Sequence, residues 1–178
     1  GKAGAAVMAA QGALRTGAGL VSVAAPMGII PVIQQQAMEA MCIPAGESID
    51  GTLGIGSENE LLKASGSMTA CAIGPGLTTH YETVLVVKSL VQRMTLPLVI
   101  DADGVNALAG SADMLKKAKA PMVMTPHPGE LARLLGVSTD DVQKDRIDIA
   151  SDFAEEFGVT LVLKGAGTVI ATPHGEVF

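Results

Sequence analysis

Four short stretches concentrate residue types that can do chemistry: Gly74-Pro75-Gly76, Asp101-Ala102-Asp103-Gly104-Val105-Asn106, Thr125-Pro126-His127-Pro128-Gly129-Glu130 and Lys164-Gly165-Ala166-Gly167-Thr168. The first can bring bare backbone N–H groups against a ligand, or can simply be a tight turn. In the second, Asp101, Asp103 and Asn106 offer acceptors for ligand hydroxyls or a hydrated magnesium ion, with helix capping as the alternative. Strand alternation turns Asp101 and Asp103 to the same side. His127 is held between two prolines, which fix its direction and favour a ligand contact over a purely structural hydrogen bond. Glu130 reads as a first-turn carboxylate that complements a helix dipole. Lys164 with its glycines joins a cation to open amides, a phosphate-type combination; an exposed hairpin lysine is the plainer reading. None of these stretches has the P-loop or dinucleotide glycine spacing, and no Ser-His-Asp or Cys-His pairing stands out.

The elements that must position these stretches alternate along the chain. Ala5 to Arg15 is helix-like and stops at Gly17-Ala18-Gly19, and Leu20 to Ala25 is an apolar run closed by Pro26. Gly28 to Met38 is expected to be helical with Pro31 in its first turn. Cys42-Ile43 reads as a short strand and Glu58 to Lys63 as a helix. Ala70 to Ile73, Leu98 to Ile100 and Met122 to Met124 read as strands. Thr79-x-x-Glu82 predicts a capping box opening a helix to Met94, with Val84, Val87, Lys88 and Val91 on one stripe. Glu130 to Leu135 is helical and stops at Gly136. Ser138-x-x-Asp141 predicts the cap of a longer helix that turns Ile147, Ala150, Ala154 and Phe157 inward and ends at Gly158. Thr160 to Leu163 and Thr168 to Ala171 should be antiparallel neighbours.

The strands are continuous apolar runs, a pattern that implies a mainly parallel sheet covered on both faces by helices, in the α/β class. In such sheets ligands bind outside the carboxyl ends of the strands, where all four stretches fall. The 178 residues suit one domain, and 48% hydrophobic residues supply its core. Aromatics are only 2%, and nine methionines leave room for a methionine-rich surface that forms homo-oligomers. A net charge of −6 without basic clusters excludes a nucleic-acid tracker, so an anion must be held by local devices. No apolar run is long enough for a membrane span. Cys42 and Cys71 read as buried free thiols of a reducing compartment, the cytoplasm.

Gly4-Ala5-Ala6 with the run ALRTGAGLV at 13–21, AIGPGL at 72–77, VIDADGVNALA at 99–109, MTPHPGELARLLG at 124–136 and LKGAGTVIATPHGEV at 163–177 resemble ADP- or ATP-dependent NAD(P)H-hydrate dehydratases. The motifs run in the family's order over nearly the whole chain, and the HPGE and KGAGT segments are the specific ones. The resemblance implies a ribokinase-like fold over residues 1–178 as a single domain. It implies ADP or ATP with Mg2+, and hydrated NADH or NADPH as the partner to be repaired. By matching motif, Ala5, Gly76 and His127 would contact the hydrated dinucleotide, and Asp103 and Asn106 would line the same cleft. Lys164, Gly165, Ala166, Gly167 and Thr168 would hold the nucleotide.

The chain departs from the family at both ends. By this resemblance a first strand is expected before Gly1 and the glycine-rich anion-hole segment with its catalytic aspartate beyond Phe178, so no catalytic residue is assigned within the chain. A polypeptide of only these residues is expected to turn over slowly or not at all. A small-molecule kinase of the same superfamily, acting on a vitamin precursor or sugar, is the alternative enzyme. A nucleotide-binding or oligomer-forming module without turnover is the non-enzymatic one. Whole-chain homo-oligomers, a tetramer among them, are expected.

Overall fold

The strands named above pair into two sheets rather than one. The computed structural model describes residues 2–178. Helix α1 (Ala3–Arg15) leads into β1 (Ser22–Pro26), a short 3-10 turn and α2 (Ile30–Gln36), with Pro31 in the first turn where its missing N–H costs nothing. Strand β2 (Met41–Ala45) then pairs parallel to β1, Ser22 opposite Met41. Val7, Ala10, Ala25, Ile30 and Ile33 form a small core of their own between α1, α2 and this ribbon.

The larger sheet begins after α3 (Glu58–Ser65). Strands β3 (Cys71–Ile73), β4 (Leu98–Ile100), β5 (Met122–Met124) and β6 (Thr160–Leu163) run parallel in sequence order, and β7 (Val169–Ala171) closes the edge antiparallel to β6. The crossovers carry α4 (Tyr81–Arg93), α5 (Asp103–Ala107), α6 (Pro128–Leu135), α7 (Thr139–Lys144) and α8 (Arg146–Phe157). Ile73, Leu98, Ile100, Met122, Met124, Leu161 and Leu163 point one way and join Val86, Leu90, Leu131, Phe153 and Ala154 of the helices in one core.

The opposite face differs from expectation. Val99 and Ile170 are 39% and 38% exposed, Ala72 is exposed, and Val123 and Val162 are only half-buried. The described residues therefore cover one face of the five-stranded sheet. Apolar strand composition records that a face tends to be buried, not what buries it.

Local signals held where nothing distant competed. Ser138 caps α7 by accepting from the Asp141 N–H, and Asp141 returns the bond, but the helix ends at Lys144 and α8 starts anew at Arg146. Ala150, Ala154 and Phe157 of α8 are buried as expected, whereas Ile147 is exposed. The Thr79 capping box does not form. Helix α4 begins at Tyr81, because Glu82 instead accepts the distant Ile55 N–H at 2.9 Å. Its buried residues are Thr83, Val86, Val87, Leu90 and Val91, while Lys88 reaches Ser111 at 2.8 Å. Cys42 and Cys71 are unbonded thiols but half-buried rather than buried. Among the described residues, no helix is long and apolar enough to cross a membrane.

Candidate functional site

The carboxyl ends of β3, β4, β5 and β6 open onto one rim, and glycine geometry dictates how closely their loops approach. Gly74 has φ +137° where β3 ends, and a Cβ there would lie 1.7 Å from the Asp101 carbonyl oxygen at the end of β4. Gly76 (φ +81°) rests on the start of α1, where an added Cβ would meet the Lys2 carbonyl at 2.8 Å and the Ala5 Cβ at 3.2 Å. Sequence-distant Ala5 and Gly76 thus share one wall. Between the ends of β1 and β3 lies a cleft of about 130 Å3, lined by Lys2, Ala6, Ala25, Pro26, Leu53 and Gly76 among others.

Asp101 and Asp103 do not face the same way. The chain leaves the extended conformation at Ala102 (φ 50°, ψ −120°), and Asp103 is already the first residue of α5, so strand alternation no longer applies. Asp103 turns toward α1: it accepts from Lys2 Nζ at 2.9 Å, from the Thr78 N–H at 2.9 Å and from Asn106 Nδ2 at 3.4 Å. Asp101 turns toward β5 and β6, accepting from Thr125 Oγ1 at 2.8 Å and Lys164 Nζ at 2.6 Å. Burial pushes the Asp101 carboxyl up, but the bonds from Lys164 and Thr125 and the lysine charge outweigh it and hold it below the ordinary carboxylate value. Burial likewise opposes, and Lys2 with the Thr78 N–H overcomes, at Asp103, whose carboxyl is also held low. Both are therefore carboxylates at neutral pH.

His127 is the N-cap of α6. Its Nδ1 accepts from the Gly129 N–H at 3.0 Å, and Glu130, buried, returns a carboxylate oxygen to the His127 N–H at 2.9 Å. Glu130 is thus both the first-turn carboxylate and half of a capping box, which its sequence position alone did not reveal. A neutral imidazole accepting at Nδ1 carries its proton at Nε2, so one ring edge is committed to the cap and the other can donate. The ring is 52% exposed, and Nε2 lies 3.4 Å from Glu130. Structural cap and ligand contact are compatible here, because they use different nitrogens.

Lys164 to Thr168 form the exposed hairpin between β6 and β7. The Lys164 N–H is given to the Pro126 carbonyl at 2.9 Å, which places this hairpin beside the His127 loop. Among the described residues, the N–H groups of Gly165, Ala166, Gly167 and Thr168 reach no acceptor. Four free amides beside an ammonium are what an anionic phosphate requires.

A polar chain links these loops. Asp103 holds Asn106, and Asn106 Oδ1 accepts from Arg133 Nε at 2.9 Å. A Cβ built on Gly129 would meet both His127 and the Arg133 guanidinium. All ten candidate residues therefore sit along the same rim. Lys2, Arg133 and Arg146 join them without any local signal in the sequence, since each acts on loops far away in the chain. Together with Lys164 they set four cations along one edge of an acidic protein, Lys2 and Lys164 paired with Asp103 and Asp101. No cluster of three or more His, Cys, Asp or Glu suited to a metal occurs among the described residues.

The family described as NAD(P)H-hydrate dehydratase matches residues 1–178. The bifunctional NAD(P)H-hydrate repair enzyme Nnr of Moorella thermoacetica is 43% identical over 178 residues, which are the whole chain and 34% of that protein. Its counterpart in Salinibacter ruber is 39% identical over 177 residues, 98% of this chain and 32% of the relative. The ADP/ATP-dependent NAD(P)H-hydrate dehydratase of Bacillus subtilis, co-crystallised with ATP/Mg2+, superposes with a TM-score of 0.75 at 32% identity, covering 99% of this chain and 58% of that one. A ribokinase-like superfamily protein from Enterococcus faecalis shares the fold, with a TM-score of 0.77 at 22% identity. The chain spans about a third of the length of the curated relatives and about 60% of the solved structures.

Proposed function

The chain belongs to the NAD(P)H-hydrate dehydratase family, and from that premise we propose that it forms the ligand-gripping part of an enzyme that uses ADP or ATP to dehydrate hydrated NADH and NADPH. Residues 1–178 act as one ribokinase-like domain. The observation that carries this reading is the free-amide hairpin Gly165–Thr168 with Lys164, standing directly beside the His127 loop on the rim that also bears Gly76.

Hydroxide is a poor leaving group and phosphate a good one. Moving a phosphoryl group from the nucleotide to the hydrate's hydroxyl makes a phosphate ester. The ring nitrogen's lone pair then expels phosphate, and loss of a neighbouring ring proton restores the dihydropyridine. The protein's share is chiefly alignment and charge balance. Lys164 and the four amides would hold the nucleotide phosphates. Ala5 and Gly76, free of bulk, would let the hydrated ring approach the backbone, with the His127 Nε2 edge, Asp103 and Asn106 farther along the same rim. Mg2+ would shield phosphate charge, and the scattered carboxylates suit an ion carried on the nucleotide rather than one caged by protein.

Asp101, Asp103 and Glu130 are each already engaged by a cation or a cap. The base that takes the proton therefore lies outside these residues in this reading. Exposed Met8, Met27 and Met38 support homo-oligomer formation, and the free thiols Cys42 and Cys71 support a reducing, cytoplasmic setting.

The test is to incubate the full-length protein with hydrated NADH and either nucleotide while following the dihydronicotinamide absorbance band. Recovery that needs the nucleotide is expected. No recovery with ADP or ATP, alongside phosphorylation of a vitamin alcohol or sugar, would replace this reading with a kinase.

A further inference from the structure

The strongest unassigned feature is the guanidinium of Arg146, at the first residue of α8. It lies half-buried beneath the 164–168 hairpin, far from it in sequence. Nη2 donates to the Leu163 carbonyl at 3.1 Å and to the Gly167 carbonyl at 3.0 Å, and Nη1 donates to Gln143 Oε1 at 3.0 Å. One nitrogen therefore ties the two ends of the loop. Gly165 passes directly over the group: at φ +153°, a Cβ there would meet Nη1 at 2.6 Å, Nη2 at 3.0 Å and Cζ at 3.1 Å. The first glycine of the hairpin thus suits both its positive φ and the guanidinium packed beneath it.

Peptide geometry turns this clamp into a functional statement. In a trans peptide the carbonyl and the next N–H point in opposite directions. With the Leu163 carbonyl drawn to Arg146, the Lys164 N–H must point away, and it does, onto the Pro126 carbonyl at 2.9 Å. By the same rule, drawing the Gly167 carbonyl down aims the Thr168 N–H outward, where it meets no described acceptor. Arginine suits the task because its planar fork is permanently charged and spans two acceptors at once.

We propose that Arg146 is a positioning residue for the nucleotide: it holds the Leu163 and Gly167 carbonyls beneath the hairpin, so that the amides of Gly165–Thr168 face a phosphate. This rests on the reading of Lys164–Thr168 as the nucleotide loop, and it predicts a defect confined to the nucleotide.

The experiment uses the full-length protein and measures affinity for ADP and, separately, for hydrated NADPH by calorimetry, in wild type, Arg146→Ala and Arg146→Lys. Arg146→Ala is expected to weaken ADP binding about tenfold or more, as removal of a charge-assisted hydrogen-bond set does. Hydrated NADPH affinity should stay within about twofold, because the Arg146 side chain bonds only the Leu163 and Gly167 carbonyls and Gln143, and none of Ala5, Gly76 and His127. Arg146→Lys should remain clearly weakened, because an ammonium lacks the fork. Adding methylguanidinium to Arg146→Ala should restore part of the ADP affinity. ADP affinity retained in Arg146→Ala or Arg146→Lys, or an equal loss for both ligands, overturns the proposal. If Arg146→Ala does not fold, Arg146→Lys decides by the same two affinities. A wild type that binds hydrated NADPH but no ADP would instead overturn the assignment of the loop itself.

Discussion

Replacing Gly74 with alanine should damage this protein far more than replacing a glycine in open space. The new Cβ would sit 1.7 Å from the Asp101 carbonyl oxygen and 2.8 Å from both the Asp101 carbonyl carbon and the Gly104 nitrogen. Ordinary contacts lie near 3.5 Å, so the ends of β3 and β4 must part by roughly 1.5–2 Å. That movement breaks or stretches the Asp101 N–H bond to the Ile73 carbonyl and the Gly104 N–H bond to the Asp101 carbonyl, now 3.0 and 2.9 Å. Two partly buried backbone bonds contribute about 1 kcal/mol each, with more lost if a group stays unsatisfied. Forcing φ +137° on a residue with a side chain adds about 1 kcal/mol. The sum is about 3–5 kcal/mol, or a fall in Tm of about 6–20 °C for a domain of this size. Gly110 is the control: its φ is +69°, but nothing lies within 4 Å of its added Cβ. Its alanine variant should lose only about 1 kcal/mol, or 2–4 °C. Thermal unfolding of both variants by circular dichroism decides the matter. Equal shifts in the two would refute the claim that backbone contact between β3 and β4 builds the rim.

Asp101 should leave a mark on the acid side of the stability profile. Its folded carboxyl is held below the unfolded value by Lys164 and Thr125 against burial. It therefore stabilises the fold at pH values above about 4, and that contribution fades as pH falls through the folded value. Asp101→Asn should be less stable at neutral pH and show a shallower acid limb in denaturant titrations run at a series of pH values; an unchanged limb would refute the assignment. His127→Ala removes the acceptor for the Gly129 N–H and should cost about 1 kcal/mol in urea unfolding. In the dehydration assay it should raise the KM for the hydrate, whereas the nucleotide KM should move little. A nucleotide effect of equal size would show that His127 serves the whole rim through its cap alone.

The sequence by itself determined the strands as short apolar runs, the helix stops at Gly136 and Gly158, the antiparallel last hairpin and the four loops at strand ends. These are local: they depend on side-chain periodicity, on φ values that glycine alone adopts freely and on caps made within four residues. The family motifs lie in the same loops, so most of the candidate site was legible. Tertiary structure alone decided which way each loop looks. Ala102 turned Asp103 away from Asp101, Ile55 drew Glu82 from its expected cap, and Arg146 reached under a hairpin beginning at Lys164. It also decided that the described helices cover one face of the main sheet. These outcomes belong to partners distant in the chain. A residue's type sets what bonds it can form; which partner wins depends on geometry that no local pattern encodes.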